Sequence, residues 1–135
     1  MSGAEASTGA PGTLELRRYL DEDARATYLD TGGEFLLGLV DGRLEAIGAL
    51  RHTSETDAEI KRMRVHPRFQ RRGFAHALLA QHEDYARQRG YRRLRFDTTL
   101  LQIAAQRFFE REGYREVGRG QAAGVALIYY AKRLP

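Results

Sequence analysis

Apolar and polar residues alternate along Leu14 to Tyr19 (LELRRY), and this period of two predicts a first strand. Asp21 to Leu29 opens on three acidic residues, which suit the positive end of a helix, and predicts one short helix. Glu34 to Val40 reads as a strand. Asp41-Gly42 follows, two residues that tolerate positive φ and favour a tight turn, and Arg43 to His52 returns as the second hairpin strand. After a polar turn from Thr53 to Asp57, Ala58 to Val65 predicts another strand. His66-Pro67 ends it, because proline restricts the residue before it and carries no N–H.

From Phe74 the period changes. Phe74, Ala77, Leu78, Gln81, His82 and Tyr85 share one helical face, which predicts a helix to about Arg89 closed by Gly90. Arg92 to Thr98 then reads as a strand, Leu101 to Arg111 as a helix capped by Gly113, Tyr114 to Gly118 as a short strand and Val125 to Lys132 as the last strand. An antiparallel meander followed by strand-helix-strand-helix predicts a mixed α/β fold with flanking helices. Residues 1–12, mostly Ser, Gly, Ala, Thr and Pro, are expected to form a disordered leader, and residues 13–135 a single domain.

Composition narrows the function classes. The chain has 135 residues, 42% hydrophobic and 30% charged, which suits one globular core. No run approaches the roughly 18 apolar residues that span a membrane, and the N-terminus lacks the basic and hydrophobic segments of a signal peptide, so a cytoplasmic protein is expected. Without cysteine, thiolate metal sites and cysteine nucleophiles are excluded. Four dispersed histidines suggest no metal cluster. The formal charge of +4 is modest, and acidic residues are interspersed, so nucleic acid is not expected as the main partner.

The chemically informative stretch is Val65-His66-Pro67-Arg68-Phe69-Gln70-Arg71-Arg72-Gly73-Phe74-Ala75. It combines a strand end, an enforced break, three arginines and a glycine at a helix start. The first turn of a helix leaves backbone N–H groups unpaired, and these can converge on an anion. Gly73 removes the Cβ that would keep a phosphate from the backbone, and arginine makes forked bonds to phosphate oxygens. The G-x-x-x-x-G-K-S/T and G-x-G-x-x-G phosphate patterns are both absent.

This stretch resembles the acyl-coenzyme A-binding segment of the GNAT acetyltransferases, V-x-P-x-x-Q/R-x-x-G-x-G/A, at Val65, Pro67, Gln70, Gly73 and Ala75. Farther along, Gln102, Ala105, Phe108, Phe109, Gly113 and Tyr114 occupy the places of that family's N-x-x-A-x-x-L-Y-x-x-x-G-F pattern. The resemblance runs from about Glu34 to Leu134. It implies a mostly antiparallel central sheet with flanking helices, acetyl-CoA as co-substrate, and direct transfer of acetyl to the primary amine of a small molecule or protein. It assigns Met63, Arg64, Val65, Gln70, Arg71, Arg72, Gly73, Phe74, Ala75, Gln102 and Phe108 to the coenzyme.

In that chemistry an ammonium of pKa ~10.4 must lose a proton and a thiolate of pKa ~8.5 must gain one. Glu59 is the candidate base; strict alternation places it on one strand face with Lys61, Met63 and Val65, and its other reading is a surface ion pair with Arg62 or Arg64. The helix tyrosine that the family uses as acid is Phe109 here. Tyr114 is then either a substitute acid or a core aromatic, and Asp97 either an acceptor ligand or a local cap. The family places two helices between its first and second strands, and Asp21 to Gly33 has room for one. This short acceptor side predicts a homodimer through the first strand or the Val125 to Tyr130 strand. It also supports an alternative, an acyl-CoA-binding regulatory protein with little transferase activity.

Overall fold

The computed structural model describes residues 10–135. Seven strands form one sheet: β1 (Leu14–Arg18), β2 (Glu34–Val40), β3 (Arg43–His52), β4 (Asp57–Val65), β5 (Arg93–Thr99), β6 (Arg115–Ala122) and β7 (Val125–Arg133), in the spatial order β1-β2-β3-β4-β5-β7-β6. All neighbours are antiparallel except β4 and β5. Residues 1–9 of the expected leader lie outside the described residues. Of the rest, Ala10 to Gly12 form a turn in which the Gly12 amide donates to Asp41 Oδ1 at 3.1 Å.

The meander closes as its turn residues dictate. Asp41 (φ 51°) and Gly42 (φ 78°) take the left-handed conformations of a two-residue hairpin turn. Between β1 and β2 lies a single short helical element, α1, made of Glu22–Ala24 and a π-helical turn, Arg25–Leu29. Asp21 caps it, its Oδ1 accepting from the Ala24 amide at 2.7 Å.

Two longer helices, α2 (Phe74–Gln88) and α3 (Ile103–Arg111), cover one face of the sheet. The core lies beneath them, where Leu79, Tyr85 and Ala86 of α2 and Phe109 of α3 meet Leu50, Ala58, Ile60, Leu94 and Ile128 of the sheet. At 25 cal/mol per Å² of apolar area, each buried leucine or isoleucine side chain among them contributes about 2 kcal/mol. The opposite face carries α1, whose Tyr28 packs edge-on against Phe35 at 5.4 Å.

The middle of β4 departs from simple alternation. Ile47 pairs with Arg64 and Ala49 with Lys61, so β4 has an extra residue opposite Gly48. Arg62 supplies the distortion with φ 52°, in the left-handed region. Ala58 and Ile60 face α2 before the bulge, and Met63 and Val65 pack on that same side after it. Glu59 therefore faces away from Met63 and Val65, and the shared face expected from alternation is corrected: the bulge reverses parity between them.

Just before the bulge, β4 and β5 separate. Their pairing consists of Asp57 with Arg93, Ala58 with Leu94 and Glu59 with Arg95. From there β4 runs on against β3, and β5 against β7. The Val125 to Tyr130 strand, expected as one candidate dimer contact, is an inner strand of the sheet. β7 lies between β5 and β6, and the sheet's edges are β1 and β6. The cause is a hairpin closed by Ala123 (φ 50°) and Gly124 (φ 79°), which extends β6 to Ala122 and places it outside β7.

Candidate active site

The gap between β4 and β5 opens into a cleft of about 820 Å³, within the range of ligand sites. One wall is the end of β4, with Met63, Arg64 and Val65; the other is α3, with Ala104, Arg107, Phe108 and Arg111, and Phe96 of β5 lies between them. Its floor is the turn from Phe69 to His76. The cleft is thus apolar where the strands part and cationic where α2 begins.

The turn is built to leave donors free. Pro67–Phe69 form one 3-10 turn, the His66 ring accepts the Arg68 amide at 3.1 Å, and Gln70 Nε2 donates to the Val65 carbonyl at 3.0 Å. Arg71 (φ 64°) and Gly73 (φ 82°) then swing the chain into α2. The first amide of α2 to bond back is that of Ala77, to Gly73 O at 3.0 Å. The amides of Gly73, Phe74, Ala75 and His76 are the four that a helix start leaves without intrahelical partners, and the helix dipole adds positive potential there. A Cβ built on Gly73 meets nothing within 4 Å, so the space above this turn is open. A diphosphate fits this combination of amides, arginines and clear approach.

Sequence-predicted residues divide clearly. Met63, Arg64, Val65, Gln70, Arg71, Gly73, Phe74, Ala75 and Phe108 all line the cleft. Arg72 does not; its guanidinium lies over the Phe69 ring at 5.1 Å. Gln102 is also elsewhere, its Oε1 accepting from Thr98 Oγ1 at 2.6 Å and from the Thr99 amide at 3.2 Å to hold the start of α3. Arg107 and Arg111 went unrecognised in the sequence. Their i,i+4 spacing on a face shared with Ala104 and Phe108 was the signal.

Tyr114 is not brought to the cleft. It is buried, and its hydroxyl donates to Glu83 Oε2 at 2.9 Å, while Lys132 Nζ bonds the same carboxylate at 3.1 Å. Burial, then the charge of Glu83 and the bond to it, raises the phenol far above its ordinary value. Phe109 fills the space beside it, stacked on Phe96 with ring centroids 3.8 Å apart. Of the two readings of Tyr114, its burial and satisfied polar end favour the core aromatic over the substitute acid.

Glu59 stands at the apex of the strand gap but on the α1 face. Its carboxylate accepts from Arg51 Nη2 at 3.0 Å and lies 3.5 Å from Lys61 Nζ. It borders a small pocket of about 110 Å³ with Thr53, Arg95, Phe96, Asp97 and Tyr129. Phe96 borders this pocket and the large cleft alike and so stands between them, near the place where β4 and β5 separate.

A parallel strand pair that parts just ahead of a bulge, with a helix start and arginines at the open end, is the acyl-CoA-binding architecture of one class of transferases. Residues 6–114 match the acetyltransferase (GNAT) family, and the chain belongs to it. It is 32% identical to the N-acetylaspartate synthetase of Rattus norvegicus over 79% of this chain and 42% of that protein. It is also 32% identical to the Homo sapiens N-acetylaspartate synthetase over 78% of this chain and 36% of that protein. The chain thus spans less than half the length of these curated relatives. Among solved structures, an acetyltransferase from Streptococcus agalactiae superposes with a TM-score of 0.80 at 15% identity, over 90% of this chain and 98% of that one. A GNAT family acetyltransferase from Elizabethkingia anophelis with acetyl-CoA bound gives 0.74 at 16% identity, over 90% and 98%. The mixed, mostly antiparallel fold expected from the sequence is therefore the GNAT fold. Among the described residues, no helix is long and apolar enough to cross a membrane.

Proposed function

We propose that the protein is an N-acetyltransferase that uses acetyl-CoA and acts by direct attack of a primary amine. The strand gap that opens onto the amides of Gly73 to His76 carries this reading. The coenzyme diphosphate would rest on those amides with Arg71, Arg107 and Arg111 nearby, and its pantetheine arm would follow Met63 to Val65 toward Phe96. Acetyl-CoA supplies the activated acyl carbon. The amine nitrogen bonds to that carbon, the C–S bond breaks, and the ammonium proton passes to Glu59 through water. With Phe109 unable to donate and Tyr114 engaged by Glu83, the thiolate takes its proton from solvent. The names of the mammalian relatives put acetyl on the nitrogen of aspartate, which supports nitrogen as the acceptor atom.

Calorimetric titration with acetyl-CoA, followed by thiol release with a panel of amines, tests the proposal. Binding with amine-dependent thiol release supports it. Binding without release to any amine favours the acyl-CoA-binding regulatory reading, which Phe109 and the short α1 motivate. The cysteine-free composition agrees with a reducing compartment such as the cytoplasm. A homodimer is part of the same proposal, supported by the open edge at β6, where Val117 is 55% exposed. Sedimentation as a monomer across micromolar concentrations rejects it.

A further inference from the structure

The α1 face of the sheet carries charges that the transfer step alone does not need. Glu59 pairs directly with Arg95 across the last rungs of β4 and β5, and Asp97 follows on the same face of β5, about 7 Å farther along the strand. Glu59 is compensated by Arg51 and Lys61. Asp57 is compensated by Arg93, whose Nη2 lies 2.7 Å from Oδ2. Arg95 and Asp97 make no ion pair within 4 Å among the described residues, Arg95 acting on Asp57 only at longer range, although both are only partly exposed and both border the 110 Å³ pocket. Arg62 adds another cation on this face, where its Nε donates to the Tyr28 hydroxyl at 3.1 Å.

We infer that the pocket takes a compact acceptor carrying both an amine and a carboxylate, an α-amino acid, with Arg95 holding the carboxylate and Asp97 and Glu59 receiving the ammonium. The inference rests on the transferase reading. Desolvating an unpaired guanidinium is unfavourable, and a bidentate carboxylate is its best compensation. Arg51, Lys61, Arg62 and Arg95 around two carboxylates disfavour a polyamine, whose charges would all be of one sign. The volume also suits a single amino acid better than an oligosaccharide. Arg95 is therefore a specificity residue and Asp97 an amine-orienting one. The ammonium proton leaves toward Glu59 as the N–C bond forms and the C–S bond breaks.

Thiol release at saturating acetyl-CoA, measured with L-alanine and L-aspartate against ethylamine, alaninamide and spermidine, tests the assignment. The expected result is a kcat/KM at least about 10-fold higher for the amino acids, the worth of one charge-assisted bond. Arg95→Gln should raise KM for the amino acids and bring their advantage over ethylamine toward one, with acetyl-CoA affinity by calorimetry and the thermal midpoint unchanged. Equal or faster turnover of ethylamine or spermidine by the unaltered protein overturns the amino-acid assignment alone. If acetyl-CoA does not bind, the transferase reading falls and this one with it.

Discussion

Arg62 Nε donates to the Tyr28 hydroxyl at 3.1 Å, and this bond ties the bulge of β4 to α1 on the other side of the strand. Arg62 holds φ 52°, which is unfavourable for a residue with a Cβ, so the bulge depends on its surroundings to persist. The bulge in turn carries Met63 and Val65 to the cleft side and leaves Glu59 on the acceptor side. Tyr28→Phe should lower stability by about 1 kcal/mol, the net worth of one bond to a charged donor at a partly exposed site. Urea denaturation with an unchanged m-value checks it; a loss in kcat that exceeds the loss in acetyl-CoA affinity would show that the bulge is also aligned through this contact.

Gly73 separates steric from conformational effects. Its φ of 82° disfavours any side chain, yet a Cβ there meets nothing within 4 Å. Gly73→Val should therefore destabilise the protein by only about 1–2 kcal/mol through backbone strain. Its side chain would stand where the diphosphate approaches, and acetyl-CoA affinity should fall by at least about 10-fold at a temperature where the variant remains folded. Calorimetry on the folded variant reads this directly, and unaltered affinity would place the diphosphate elsewhere.

Glu59→Gln keeps the shape of the side chain and removes its charge. If Glu59 accepts the ammonium proton, kcat should fall by about 100-fold while acetyl-CoA binding is retained, because the carboxylate lies on the face of β4 away from Met63 and Val65. Steady-state kinetics paired with calorimetry distinguish this from loss of the two ion pairs, which at partly exposed positions contribute at most about 1 kcal/mol each.

Much of this geometry was legible in the residues. The alternation of β2 and β3, the Asp41-Gly42 turn and the break at His66-Pro67 specify the meander, and Val65 to Ala75 specifies the anion site through glycine, proline and helix-start logic. The bulge was legible only as a fault in the pattern. Lys61-Arg62 sets two polar residues between the apolar Ile60 and Met63, where strict alternation has one, and no glycine marks Arg62, so counting parity from Val65 straight through that fault puts Glu59 on the wrong face. The outer strand was short in prediction because Arg119-Gly120-Gln121 has no apolar face and the Ala123-Gly124 turn lacks the usual asparagine or aspartate. Gly120 is explained only in three dimensions: the Tyr129 side chain lies where its Cβ would be.

Tyr114 gives a pH prediction. Its phenol is raised above the ordinary 10.0 in the folded protein by burial and by Glu83. The unfolded chain ionises first as pH increases, so unfolding releases a proton and stability falls as pH rises above about 10, whereas below that value the contribution is complete. Tyr91 and Tyr130 are raised in the same direction. Tyr114→Phe should leave kcat unchanged and should flatten the decline of stability between pH 10 and 11 by as much as about 1.4 kcal/mol per pH unit. Urea denaturation along an alkaline series checks the slope; a fall in kcat would return Tyr114 to the chemistry.

The buried pair of Glu34 and His82 is the least compensated element of the core. Both side chains are 0% exposed, Nδ1 and Oε1 stand 3.6 Å apart, and none of their polar side-chain atoms has a hydrogen-bond partner among the described residues. His82 fits there only because β3 has Gly48 beneath it, where a Cβ would come within 2.7 Å of Nε2. Removing one member leaves the other buried without its counterpart, so Glu34→Leu and His82→Leu should each cost about 3 kcal/mol or more. Replacing both exchanges two unsatisfied polar groups for apolar contact with Leu36 and Leu78, and the double variant should be considerably more stable than the sum of the single changes predicts. A double-mutant cycle measured by chemical denaturation gives that coupling, and strict additivity would mean that the two side chains do not interact across the 3.6 Å that separates them.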